Sequence, residues 1–265
     1  LLSPSTSEPL IYEQPFGPRY PISSYALNAS RHMYEYGTTR EQLASVAISA
    51  RQWAAKNPDA FMRGPLSVDD VLGARMVADP LTVRDCCLVT DGAGAVVLTR
   101  SDRARDLVKK PVYLLGAAMA HWHRQISQMP DLTVTCASET GPRAFEMAKL
   151  GPADMDVLEL YDAFTINTIM FLEDLGFFAK GEAAGFIAEG GIAPGGSLPV
   201  NTNGGGLSCV HPGMYGIFTV IEAIQQIRSQ CGERQIDGAK TAVSHGNGGH
   251  FSSQVTAIWG DGETL

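Results

Sequence analysis

From residue 38 onward the apolar positions alternate between helical and extended periods. Leu43, Val46, Ala47, Ala50, Trp53 and Ala54 recur at helical spacing, behind a Thr38–Glu41 capping box and ahead of an Asn57-Pro58 stop. Ser67 is placed to cap a shorter helix through Val71 and Leu72. Short branched runs predict buried strands at 95–98, after an Asp91-Gly92-Ala93-Gly94 turn, and at 111–115 and 157–160. A Thr140 cap, Pro142 in the first turn and Gly151 past the end predict a helix between the last two. Residues 163–176 are apolar nearly all round, as in a buried helix. An amphipathic helix carrying Ile217, Val220, Ile221, Ile224 and Ile227 follows, then strands at 241–244 and 255–259. Residues 1–30, rich in Pro, Ser and Tyr, and 181–206, rich in Gly, are predicted to be loop. Strands alternating with helices from 111 onward argue a layered α/β architecture. The part before 110 has too few strands to close a comparable layer unaided.

At 265 residues, with 45% apolar and 18% charged positions, the chain has the composition of an ordered globular enzyme. Its net charge of -8 leaves no electrostatic footprint for nucleic acid or an anionic membrane. An anionic ligand would need a local basic patch or backbone N–H groups. No apolar run approaches the roughly 20 residues that span a bilayer. The opening residues lack the pattern of a signal peptide, and the first is Leu1, so a missing upstream segment is expected. Five cysteines without CxxC spacing predict buried thiols in a reducing, cytoplasmic compartment.

Three clusters carry chemistry: Tyr161-Asp162-Ala163-Phe164, the glycine loop from Asn203 to Gly213, and His245-Gly246-Asn247-Gly248-Gly249. Each lies where a strand ends or a helix begins, which is where open α/β sheets place their sites. Neither a GxxxxGK[ST] loop nor a complete dinucleotide fingerprint is present. The glycines, Gly206 and Gly248 among them, suit close approach of backbone N–H groups to a substrate oxygen. His211 alone reads equally well as a turn histidine, but three glycines just upstream favour a catalytic donor. Tyr161 and Tyr215 alone read as core more often than as catalytic groups. His121 and His123 lack carboxylate or thiol partners, so no metal site is expected. Cys209, two residues before His211, is the one thiol whose neighbourhood raises the question of reactivity.

In serial order these clusters resemble the fingerprints of the thiolase superfamily, and the run Asp85–Ala95 resembles its sterol-carrier-protein type and bacterial lipid-transfer relatives. The resemblance implies a layered α-β-α-β-α sandwich of two similar halves, usually dimeric. The second half would be complete at 111–265, with 81–110 as the last strands of an incomplete first half and 1–80 as a loop domain. It implies carbon–carbon bond formation or cleavage on an acyl-CoA thioester, with coenzyme A as part of the substrate and no other cofactor. His211 would polarise the thioester oxygen, and the N–H of Asn247, with Gly248, Gly206 and Asp162 nearby, would belong to the substrate-binding set. The family's nucleophilic cysteine would precede Leu1. Where the family has a second sulphur this chain has His245 and Ala163, and Tyr161 replaces the motif's Asn. An acyltransferase of Claisen or thiolytic type is the first expectation. A retro-aldol lyase of a β-hydroxyacyl-CoA, using Tyr161, Tyr215 or His245 for proton transfer and a small OB-fold partner protein, is the alternative. A non-catalytic lipid-binding subunit is the third.

Overall fold

A computed structural model of the chain describes residues 8–265; the part of the expected opening loop at 1–7 lies outside the described residues. The rest of that loop is largely helix, in α1 (Glu8–Glu13) and α2 (Ile22–Tyr36). Ile22, Tyr25, Ala26 and Ala29 fall on one face of α2 and are buried, so the helical period was present among the prolines and serines that obscured it. Helix α3 (Arg40–Ala55) starts one residue later than expected. Thr39 caps it, accepting from Gln42 N at 3.3 Å while Gln42 Oε1 accepts from Thr39 N at 2.9 Å. Thr38 is instead buried with its hydroxyl 2.8 Å from His32 Nδ1. Ser67 caps α4 (Val68–Leu72) as predicted, and β1 (Met76–Ala78) pairs with β2 (Leu81–Thr82).

The strand expected at 95–98 does not form. Val97 is 95% and Leu98 74% exposed, and no strand among the described residues pairs with them. A strand needs a ladder partner for its backbone groups, and here there is none. After the short α5 (Ser101–Ala104) the main sheet begins with β3 (Tyr113–His121). Helix α6 (Ala137–Ala148) starts three residues before Thr140, so Pro142 lies inside it rather than in its first turn. Thr140 does not cap; its hydroxyl meets Thr256 Oγ1 at 2.7 Å. Lys149, in the left-handed region at φ 56°, closes the helix rather than Gly151.

Strand β4 (Val157–Leu160) leads into α7 (Thr165–Asp174), which is buried at all ten positions as expected, its polar Thr165, Asn167, Thr168, Glu173 and Asp174 included. The glycine-rich stretch expected to be all loop holds α8 (Ala183–Ala188). Then come α9 (Gly216–Ile227), β5 (Thr241–Gly248) and β6 (Ser253–Gly260). The sheet order is β3-β6-β5-β4, with β4 parallel to β5 and the other pairs antiparallel. Strand alternation divides the side chains between two faces. Val157, Ala242, Ala257 and Trp259 pack with Ala223 and Ile227 of α9. Leu158, Leu160, Val243 and Ile258 belong to the larger core with Phe145 of α6 and Ile166 and Phe171 of α7. The result is an α-β-α stack, and the carboxyl ends of the parallel pair β4 and β5 bring two of the three chemical clusters side by side. Replacing Thr39 by Ala should lower unfolding free energy by about 1 kcal/mol in a urea titration, the usual effect of losing such a cap; unchanged stability would mean that α3 begins elsewhere.

Candidate active site

As β4 ends, Tyr161 N makes a last ladder bond to His245 O at 3.0 Å, and Asp162 turns inward, fully buried. Its Oδ1 accepts from Gly206 N at 2.6 Å and its Oδ2 from Leu207 N at 3.3 Å. Gly205 has φ 65°, and a Cβ there would lie 2.0 Å from Asp162 Oδ2, so only glycine fits. Asn203 Oδ1 accepts from Gly205 N at 2.7 Å, and the chain from Gly205 to Cys209 is wound into one wide π-type turn. The turn delivers His211, whose N–H donates to Thr90 Oγ1 at 2.9 Å. Leu88 N donates to Gly206 O and Cys87 N to Ala163 O, so residues 87–90 are laid across both clusters.

These segments enclose a cavity of about 300 Å³, lined by Tyr25, Cys87, Tyr161, Phe164, His211 and residues 247–249 among others. His211 Nε2 is buried and has no hydrogen-bond partner in the protein. Burial holds the imidazole pKa below its ordinary value, so the ring is neutral at pH 7. The Tyr161 ring stands edge-on to His211 at 5.4 Å and to Tyr215 at 5.5 Å. Burial raises its phenol pKa as well, so it too is neutral. On the opposite wall, Asn247 Nδ2 donates to Tyr25 Oη and Tyr25 Oη to Gly249 O, each at 2.8 Å, while Gln254 Nε2 reaches Asn247 Oδ1 at 3.3 Å. With that side chain held and no side chain on Gly248 or Gly249, backbone forms much of this wall.

The structure therefore gathers His211, Tyr161, Asn247 and Gly248 around one cavity. Tyr215 lies behind the wall, wholly buried, its hydroxyl donating to Asn203 Oδ1 at 3.3 Å. Burial, with Asp162 and Glu159 adding negative charge nearby, pushes its pKa well up. Asp162 and Gly206 shape the turn beneath the cavity and do not line it. His245 is a correction. Its place in β5 opposite Leu160 turns its ring into the core, against Phe171 at 4.4 Å, with Nδ1 2.9 Å from Thr256 Oγ1. Burial pushes its pKa down to about 3, and it cannot exchange protons with a substrate in the cavity. Cys209 is also outside: buried, within 3.5 Å of Asn57 Nδ2, its thiol pushed up to about 12. The cysteine that does line the cavity is Cys87, which the sequence pattern assigned to burial. Tyr25 was missed because its helix was read as loop. Among the described residues no cluster of His, Cys, Asp and Glu is close enough to hold a metal ion.

Residues 118–261 match the family model described as Thiolase C-terminal domain-like. The chain belongs to the thiolase superfamily. Over 239 residues it is 41% identical to an acetyl-CoA acetyltransferase of Methanothermobacter thermautotrophicus, covering 89% of this chain and 62% of that one. A 17-hydroxy-3-oxo-4-pregnene-20-carboxyl-CoA lyase of Mycobacterium tuberculosis is 36% identical, covering 82% and 57% respectively. The solved Ltp2-ChsH2(DUF35) aldolase superposes with a TM-score of 0.90 at 30% identity, covering 98% of this chain and 69% of that one. This thiolase-superfamily chain thus spans about three-fifths of the length of those curated relatives, and relatives named sterol carrier protein 2 are among its matches, in line with the type that the run Asp85–Ala95 resembles.

The buried carboxyl under the glycine turn yields a pH prediction. Burial raises the Asp162 pKa to about 7, above its ordinary value of 3.8, despite the N–H donors that pull it down. A raised folded-state value means that Asp162 contributes stability below pH 4 and loses it as pH rises toward 7. Thermal midpoints of the native chain minus those of Asp162→Asn should therefore fall across that window. A flat difference would refute the assignment.

Proposed function

We propose that the protein acts on an acyl-CoA thioester and cleaves or forms its Cα–Cβ bond by aldol chemistry. The observation that carries this reading is the unpartnered Nε2 of His211 on a small cavity that residues 247–249 also line. A neutral imidazole with its proton on Nε2 suits the oxygen of a thioester as it becomes an enolate. In the cleavage direction the β-hydroxyl loses its proton and the Cα–Cβ bond breaks. A ketone or aldehyde leaves, and the enolate held at the oxygen is protonated at Cα. Tyr161 is the cavity residue suited to relay that proton, its neutral phenol giving one to Cα and recovering the one released by the β-hydroxyl, since Tyr215 and His245 are walled off.

Cys87 is poorly suited to act as a nucleophile. Cys87 is the one cysteine among the cavity's lining residues, and burial with the nearby Asp162 pushes its thiol up to about 12. Ala163 and His245 occupy the two places where the resemblance would put a second sulphur. This reverses the order expected from sequence, in which the thiolytic acyltransferase came first. The 41% identity to an acetyltransferase keeps that activity as the second reading. The superposed aldolase is named for two components, Ltp2 and ChsH2(DUF35), and by analogy we infer a second protein component here; a homodimer of this chain is inferred only from the family resemblance. The division into a loop domain at 1–80, last strands of a first half at 81–110 and a C-terminal half at 111–265 belongs to the same reading, as does a reducing cytoplasm.

The test is turnover of β-hydroxyacyl-CoA and, separately, of β-ketoacyl-CoA with free coenzyme A. Ketone or aldehyde release from the first should fall about 10²- to 10³-fold in His211→Ala, the usual effect of losing an oxyanion donor. It should fall about 10²- to 10⁴-fold in Tyr161→Phe and survive Cys87→Ala. Turnover of the ketoacyl substrate alone, through a trapped acyl-cysteine, would decide for the acyltransferase.

A further inference from the structure

Residues 247–249 line the reaction cavity, yet their composition is that of a loose segment. Gly246, Gly248 and Gly249 leave Asn247 as the one side chain there, and Gly249 sits at φ 61°. The segment is nevertheless tied to a run of polar side chains that crosses the core. Tyr25 Oη, on α2, accepts from Asn247 Nδ2 and donates to Gly249 O, each at 2.8 Å. Asn247 Oδ1 accepts from Gln254 Nε2 at 3.3 Å, across the ladder in which these two residues are paired. Gln254 Oε1 lies 3.1 Å from Thr135 Oγ1, just ahead of α6, and the same hydroxyl lies 2.8 Å from Asp174 Oδ2 at the end of α7. Its one proton is shared between the two acceptors. Thr135 N also donates to Asp174 Oδ2, at 2.8 Å. The run ends at the partly exposed Lys180, whose Nζ reaches Asp174 Oδ1 at 2.6 Å.

Tyr25, Gln254, Thr135 and Asp174 are all buried. Burying polar groups costs free energy that well-made hydrogen bonds only roughly offset, so stability alone is a weak reason for such a run. Its geometric effect is specific. Tyr25 grips the segment at a side chain and at a main-chain carbonyl two residues apart. The Tyr25 ring is itself set, with centroids 4.5 Å from Phe164 and 4.7 Å from Phe251. Gln254, held by Thr135, fixes the other end of the Asn247 amide. The remaining side-chain tie to the segment among the described residues, from Ser252 Oγ to Gly248 O, is longer at 3.3 Å.

We propose that Tyr25, Gln254, Thr135 and Asp174 are positioning residues, which together hold residues 247–249 in the arrangement that the reaction in the cavity uses. Groups that stabilise charge as it appears must already be in place, because those that have first to be ordered contribute less. The restraint on the segment follows from the hydrogen bonds alone, whereas its consequence for turnover rests on the aldol reading given above.

Tyr25→Phe keeps the ring and deletes the hydroxyl, and Thr135→Val cuts the run at a residue outside the cavity. Thr135→Ser restores the hydroxyl and is the rescue. Hydrogen exchange followed by mass spectrometry needs no substrate: amides of 246–250 should exchange about tenfold faster in the first two variants and at the native rate in Thr135→Ser. Thermal midpoints are the control for folding. With a β-hydroxyacyl-CoA, kcat should fall about 10- to 100-fold in Tyr25→Phe and Thr135→Val at nearly constant KM, and recover in Thr135→Ser. Native exchange rates in both variants, acceleration spread over the whole chain, or native kcat despite faster exchange would each overturn the proposal. Absence of turnover by the native protein sinks the aldol reading instead, and the exchange comparison then decides by itself whether the run holds the segment.

Discussion

The site depends on one buried carboxylate and the two backbone N–H groups it receives. Asp162 leaves β4 and is met by Gly206 and Leu207, 44 and 45 residues on in sequence. Without that acceptor two N–H groups inside the protein would have no partner, a defect that folded proteins rarely tolerate. The contact permits no side chain at Gly205 and sets the curvature of the wide turn through Cys209. His211 emerges from that turn already fixed, tied to Thr90 through its own backbone. The histidine is therefore oriented by main chain held on a carboxylate, and its ring nitrogen needs no further protein partner.

Burial then sets the protonation states. It lowers His211, raises Tyr161 and pushes Cys87 to about 12, so the cavity at neutral pH holds an imidazole, a phenol and a thiol, all uncharged. Such a set is matched to charge that appears during reaction, not to a charged ground state, because little compensates a resting ion there. A thiolate nucleophile would need a nearby cation or base to offset the same burial, and the Cys87 surroundings supply negative charge instead. Cys87 therefore rests as a thiol.

Much of this was legible in the sequence, unevenly. The largely apolar run at 163–176 and the isoleucine stripe at 217–227 gave their helices directly, because burial selects side chains at the helical period. His211 and Asn247 were legible as candidates because glycine loops at strand ends have few other uses. Tyr25 was not: Ile22, Tyr25, Ala26 and Ala29 carry the period, but flanking proline and serine suggested loop. The assignment of His245 failed for a different reason. A histidine in a glycine-rich turn signature looks exposed, and only the pairing of β5 with β4 reveals that its strand position faces inward. Strand register is a long-range property, set by a partner about 85 positions away, and no local pattern reports it.

The segment at 95–98 shows the same dependence from the opposite side. Its composition is that of a buried strand, yet Val97 and Leu98 face outward and no ladder forms. Composition states what a segment needs, and the rest of the polypeptide determines whether the need is met. Gly92 and Gly94 lie against α9, where a Cβ at Gly94 would come within 2.4 Å of Ile221, so one side of the segment is fitted closely to the C-terminal half. The chain spans about three-fifths of the length of its curated relatives. Residues 87–90, just upstream of that segment, are by contrast fastened by Cys87, Leu88 and Thr90 to Ala163, Gly206 and His211.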